Sequence, residues 1–113
     1  MLKKIECIVQ PFKLKEIKEG FREIAVDGMT ITEVSGCGKQ KGHLEKARGN
    51  ESINFLPKVK IEIVTEEEKV EEIIDVIRML AKTEQIGAGK IFVLPVEDVI
   101  RIRTKERGRS AIE

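Results

Sequence analysis

The chain has no tryptophan and no tyrosine, and only four phenylalanines, two cysteines, three prolines and one histidine in 113 residues. Each scarcity removes a class of function. So few rings leave no aromatic platform on which exposed bases could stack, so no nucleic-acid partner is expected. Cys7 and Cys37 form no CxxC pair and cannot make a disulfide framework, which fits a reducing compartment. His43 stands in "KGHLEK" without evident metal-ligating neighbours. No apolar run reaches the ~20 residues of a membrane span, and "MLKKIECIVQPFK" is too charged for a secretion signal, so the expectation is a cytoplasmic protein. Charge of neither sign prevails: 21 Lys and Arg against 20 Asp and Glu leave a net charge of +1, and any basic patch must be local.

What is present is a doubled pattern. The length suits one domain, residues 1–113, with a hydrophobic core. In residues 3–9, Ile5, Cys7 and Val9 alternate with Lys4 and Glu6, the period of a half-buried strand. Leu14, Ile17, Phe21 and Ile24 then fall on one helical stripe, Asp27-Gly28 breaks the helix, and "MTITEVSG" reads as a second strand. The second half repeats the order. "KVKIEIV" echoes "KKIECIV", the stripe Val70, Ile73, Ile74, Ile77, Leu80 and Ala81 predicts a helix, and "KIFVLPV" supplies a fourth strand. Thr65 with Glu68 makes a capping-box signature for that helix, and Glu66 to Glu68 suit its positive end. The fold class is therefore α+β: a β-α-β-β-α-β, ferredoxin-like subunit with both helices on one face of an antiparallel sheet.

Two features stand outside that frame. Phe92 and Leu94 alternate with Ile91 and Val93, so both faces of the last strand are apolar. The helix-free face therefore needs a cover: another copy of the chain, or the tail of residues 99–112 folded across it. Between Gly36 and Phe55 lie about twenty residues without apolar periodicity, far beyond the usual connection of about 4 to 6 residues. Such a segment is either a functional loop or a tolerated insertion.

The stretch "IGAGKIFVLPVEDVIRIRTKERG" raises the question of phosphate. It is not a nucleotide-hydrolysing P-loop, because Glu84 stands where the first glycine belongs, Ile91 follows the lysine, and a strand rather than a helix comes next. A glycine-rich turn beside Lys90 remains, either a plain turn or a close-approach site for an anion. If "IRIRT" is extended, Arg101 and Arg103 point to one side and offer two guanidinium forks to phosphate oxygens. No acid, base or nucleophile set accompanies them, so the expectation is a binder and not an enzyme. A small ferredoxin-like enzyme using the same cleft is the competing reading.

Taken together, "GMTITEVSGCGKQKGH", "FLPKVKIEIV" and "GAGKIFVLPVEDVIRIRTKERG" resemble the PII-type nitrogen regulatory signal-transduction proteins over nearly the whole chain. The resemblance implies a homotrimer that binds ATP or ADP in clefts between subunits and 2-oxoglutarate beside Mg-ATP. It implies that residues 38–55 form the target-binding T-loop and residues 99–113 a C-terminal segment. Nucleotide contacts would fall on Thr30, Gly36, Gly38, Lys39, Val64, Gly87, Ala88, Gly89, Lys90, Arg101 and Arg103. Effector contacts would fall on Gln40, Lys41, Gly42, Lys58 and Gly87, with the neutral carbonyl oxygen of Gln40 also on magnesium. Arg48 and Gly49 would meet a target such as an ammonium transporter, glutamine synthetase or a nitrogenase regulatory system, and the transporter would be the route to a membrane. The chain departs from the family in having Lys39 for arginine, Ala88 for aspartate and "ARGNES" for "YRGAEY" in a loop one residue shorter. With no tyrosine, nucleotidylylation of tyrosine is chemically impossible here.

Overall fold

The computed structural model describes residues 1–26, 28–36, 55–82 and 89–113. Strand β1 (Leu2–Val9) leads through a 3₁₀ turn, Pro11–Lys13, into helix α1 (Leu14–Glu23). Strands β2 (Thr30–Gly36) and β3 (Leu56–Glu66) follow. A second 3₁₀ turn, Glu67–Lys69, opens helix α2 (Val70–Ala81), and β4 (Lys90–Val96) and a short helix α3 (Arg109–Ile112) complete the order. The four strands form one antiparallel sheet in the order β2-β3-β1-β4. Each β-α-β half is thus split by a strand of the other half, the ferredoxin-like arrangement expected from the doubled pattern. Among the described residues no helix is long and apolar enough to cross a membrane.

One face of the sheet makes the core. Ile5, Cys7 and Val9 of β1 and Val59, Ile61 and Ile63 of β3 are buried against Ile17 and Phe21 of α1 and Val70, Ile73, Ile77 and Ala81 of α2. The alternation in each strand and the stripe on each helix have one cause: only one side of each element leaves water. The helices close tightly at Gly20, where an added Cβ would stand 2.6 Å from Leu80 Cδ1 and 2.9 Å from Val76 Cγ1.

Cys7 has no exposed surface, and burial pushes its thiol up to about 11, so little reactive thiolate exists near neutrality. In a Cys37→Ser variant, Cys7 should therefore resist iodoacetamide at about pH 8 in the native protein and react once guanidinium unfolds it. Rapid native labelling, followed by intact mass, would show that β1 opens far more readily than its packing implies.

Three local expectations change. α1 ends before Asp27-Gly28, in a six-residue cap where Val26 N–H donates to Phe21 O at 2.8 Å and Ala25 N–H to Arg22 O at 3.1 Å. Ala25 there takes the left-handed conformation, φ 60°, usually given to glycine, and Val26 is buried beside the helix end. The capping box at Thr65 does not form. Thr65 is a buried residue of β3, its direction set by the strand, and neither Glu66 before the 3₁₀ turn nor Lys69 before α2 makes a side-chain cap among the described residues. The first amide of the turn, Glu67 N–H, is instead satisfied by Met1 O at 2.9 Å. Finally, the tail does not cover the apolar fourth strand on the helix-free face. It docks at the Glu66 end of β3, where Arg109 Nε meets Glu66 Oε1 at 2.6 Å, and Phe92 and Leu94 stay 45% and 38% exposed.

Candidate functional site

Strand register arranges the helix-free face in rows. Leu94, Lys4 and Val64 form one; Phe92, Glu6, Glu62 and Thr30 the next; Lys90, Ile8, Lys60 and Thr32 the third; Lys58 and Val34 lie one step further. The strand residues expected at ligands, Thr30, Gly36, Lys58, Val64 and Lys90, therefore all belong to this face. They follow from "KVKIEIV" and "TITEVSG" by the same alternation that buries their neighbours.

At one end of the face, Thr30 and Val64 line a cleft of about 1090 Å³ with Lys4, Gly28, Met29 and Glu62. Lys4 Nζ sits 2.5 Å from Glu62 Oε2 and 3.3 Å from Glu6 Oε1, and Lys60 Nζ lies 3.8 Å from Glu62 Oε1. Bonding to Glu62 and then Glu6 holds the Lys4 ammonium above its usual value, and the same bond from Lys4 holds the Glu62 carboxyl below its own. Lys4 and Glu62 thus face the cleft as a charged pair at neutral pH. Sequence reasoning did not place Lys4 or Glu62 here, although their positions in the alternation put both on the face of Val64.

The other end carries Lys58, Gly36, Gly89 and Lys90. Lys58 pairs with Val34 and borders a depression of about 460 Å³ with Pro11, Glu33, Ser35 and Pro57. Partial burial holds its ammonium below the ordinary lysine value. Gly36 approaches it closely enough that an added Cβ would stand 3.5 Å from Lys58 Cγ. Gly89, at φ 114°, enters β4 against the backbone of β1, and a Cβ there would lie 1.9 Å from Ile8 O. The third glycine-turn residue expected to matter is therefore required by the fold itself.

Arg101 and Arg103 depart most from expectation. Residues 102–104 form a turn, closed by the bridge between Ile100 and Arg107, rather than an extended "IRIRT". Arg101 N–H donates to Glu106 O at 2.9 Å and Lys105 N–H to Arg101 O at 2.8 Å, with Lys105 at φ 65°. The strand alternation is lost, because this hairpin satisfies its backbone within a few residues. The Arg101 side chain is drawn to Glu106, while Arg103 makes no hydrogen bond or ion pair among the described residues. The other expected positions, Gly38, Lys39, Gln40, Lys41, Gly42, Arg48, Gly49, Gly87 and Ala88, lie outside the described residues.

Val64 and Lys58 are six strand residues apart, about 20 Å at ~3.3 Å per residue. The two groups of one chain therefore stand at opposite ends of the face, too far apart to meet at one small anion.

The fold and these motifs have close counterparts. A family model described as nitrogen regulatory protein P-II matches residues 2–106. Proteins named nitrogen regulatory protein P-II from Azospirillum brasilense and Bradyrhizobium diazoefficiens are 55% and 56% identical over 112 residues, covering 98% of this chain and all of theirs. A crystal structure of Arabidopsis thaliana PII bound to citrate superposes with a TM-score of 0.81 at 39% identity, covering 99% of this chain and 90% of that one. The family match over residues 2–106, the whole-length identity and the superposition place this chain in the nitrogen regulatory protein P-II family, whose members are signalling proteins and not enzymes.

Proposed function

We propose that the protein is a homotrimeric sensor of ATP, ADP and 2-oxoglutarate that reports nitrogen status to target proteins through residues 38–55. The observation that supports this reading best is the split site. Ligand-type residues occupy the two ends of one helix-free face, about 20 Å apart, and the exposed Phe92 and Leu94 lie on that same face. Packing that face against other copies buries the apolar strand and sets Lys58, Gly89 and Lys90 of one chain beside Thr30, Val64, Arg101 and Arg103 of the next.

In this reading the phosphates meet Lys90 and the arginines, with backbone amides of Gly36, Gly38, Gly87, Ala88 and Gly89 filling in where Lys39 and Ala88 replace the family's arginine and aspartate. Gln40 reaches a magnesium already held by ATP phosphates, and Lys58 with Lys41 and Gly42 receives a carboxylate of 2-oxoglutarate. The citrate held by the Arabidopsis relative is a carboxylate ligand of the same chemical kind. Arg48 and Gly49 meet the target, which is an ammonium transporter, glutamine synthetase or a nitrogenase regulatory system. The protein works in the cytoplasm and reaches a membrane only through such a transporter.

The test is linkage. Calorimetry should find 2-oxoglutarate binding with Mg-ATP and hardly any with ADP, each ligand tightening the other by the same factor. Gln40→Ala or Lys58→Ala should lose the effector by about tenfold or more while largely sparing ATP, and sedimentation should give three chains. Tight 2-oxoglutarate binding without nucleotide would remove the mechanism.

A further inference from the structure

The guanidinium of Arg101 is already occupied within the chain. Its Nη1 donates to Glu106 Oε1 at 2.8 Å, and its Nη2 donates to the main-chain oxygens of Ser110, at 3.1 Å, and Glu113, at 2.5 Å. A guanidinium grips a phosphate bidentately along the Nε–Nη2 edge or the Nη1–Nη2 edge, and both edges use Nη2. While Nη2 serves two main-chain oxygens of the tail, neither edge is open to an anion. Glu106 Oε1 also accepts from the Thr104 hydroxyl at 2.7 Å, so the carboxylate is itself held in place. Farther along, Gly108 N–H donates to Val99 O at 3.0 Å and Ala111 N–H to Gly108 O at 2.9 Å, which keeps the tail folded back. Ala111, Ile112 and Glu113 line the cleft that holds Thr30 and Val64.

We propose that Glu106 and the main-chain oxygens of the tail are an internal stand-in for the ligand's phosphates: Glu106 lowers nucleotide affinity, and a bound polyphosphate takes Arg101 and undocks residues 109–113. The proposal rests on the reading of Arg101 as a phosphate ligand. It gives the two arginines different parts. Arg103 carries no such contact among the described residues and is available to an incoming phosphate, whereas Arg101 must first exchange one set of acceptors for another.

A double-mutant cycle on the full chain separates the proposal from its premise. ATP affinity is measured by calorimetry for the wild type, Glu106→Gln, Arg101→Ala and the double variant. Glu106→Gln should bind ATP about two- to fivefold more tightly, the scale of one partly exposed ion pair, and the gain should vanish in the Arg101→Ala background. A gain that persists there reflects general charge and overturns the proposal. No gain from Glu106→Gln while Arg101→Ala weakens binding overturns it with the site reading intact. No effect of Arg101→Ala removes the premise and the proposal together. Hydrogen exchange gives the second readout: saturating ATP should speed exchange at Gly108 and Ala111 in the wild type, and retained protection means that the tail keeps Arg101.

Discussion

Gly89→Ala should lower stability by roughly 2 to 5 kcal/mol, from backbone strain of about 1 to 3 kcal/mol and loss of strand pairing beside it. The added Cβ would stand 1.9 Å from Ile8 O, a backbone atom that no rotamer change can move aside, and φ at this residue is 114°. Relief requires β4 to draw away from β1 at Lys90, whose register partner is Ile8. A loss of that size takes a large share of the roughly 5 to 15 kcal/mol that holds a domain folded. Urea unfolding at fixed protein concentration reads it as a drop in midpoint. Gly36→Ala is the control, because its Cβ would make only an ordinary 3.5 Å contact with Lys58 Cγ. Equal midpoints for the two variants would mean that β4 enters the sheet differently.

Replacing Arg101 and Arg103 together with alanine should weaken ATP and ADP binding by roughly 3 to 6 kcal/mol, taking about 1.5 to 3 kcal/mol for each charge-assisted contact. That corresponds to about a hundredfold to ten-thousandfold in dissociation constant. The lower part of the range is expected, because Arg101 has to leave Glu106 and the main-chain oxygens of Ser110 and Glu113 before it can serve a phosphate. Arg103 has no such exchange to make among the described residues, so its single replacement should be the more damaging of the two. Calorimetry with ATP and ADP in competition measures both. Unchanged affinity in the double variant would falsify the placement of nucleotide at these arginines.

Local period determined much of this protein. The alternation of Ile5, Cys7 and Val9 and the stripes through Phe21 and Ile77 record which side of each element leaves water, and a burial pattern is written residue by residue. The order of the elements, the core and the face that carries Thr30, Lys58, Val64 and Lys90 follow from it, and three spaced motifs were enough to point to the family. Choices among partners were settled only in three dimensions. Thr65 matches a helix cap in sequence but is committed to the core by its strand, and Met1 supplies the acceptor in its place. Arg101 and Arg103 would share a side if "IRIRT" were extended, yet a hairpin closed by Ile100 and Arg107 turns the chain there instead. Lys4 and Glu62 meet because two strands pair in one register, and Gly89 must be glycine because β1 passes beside it. In each case the deciding atom belongs to a residue several to many positions away, and periodicity, which reports only how a segment faces water, carries no information about which distant group will arrive.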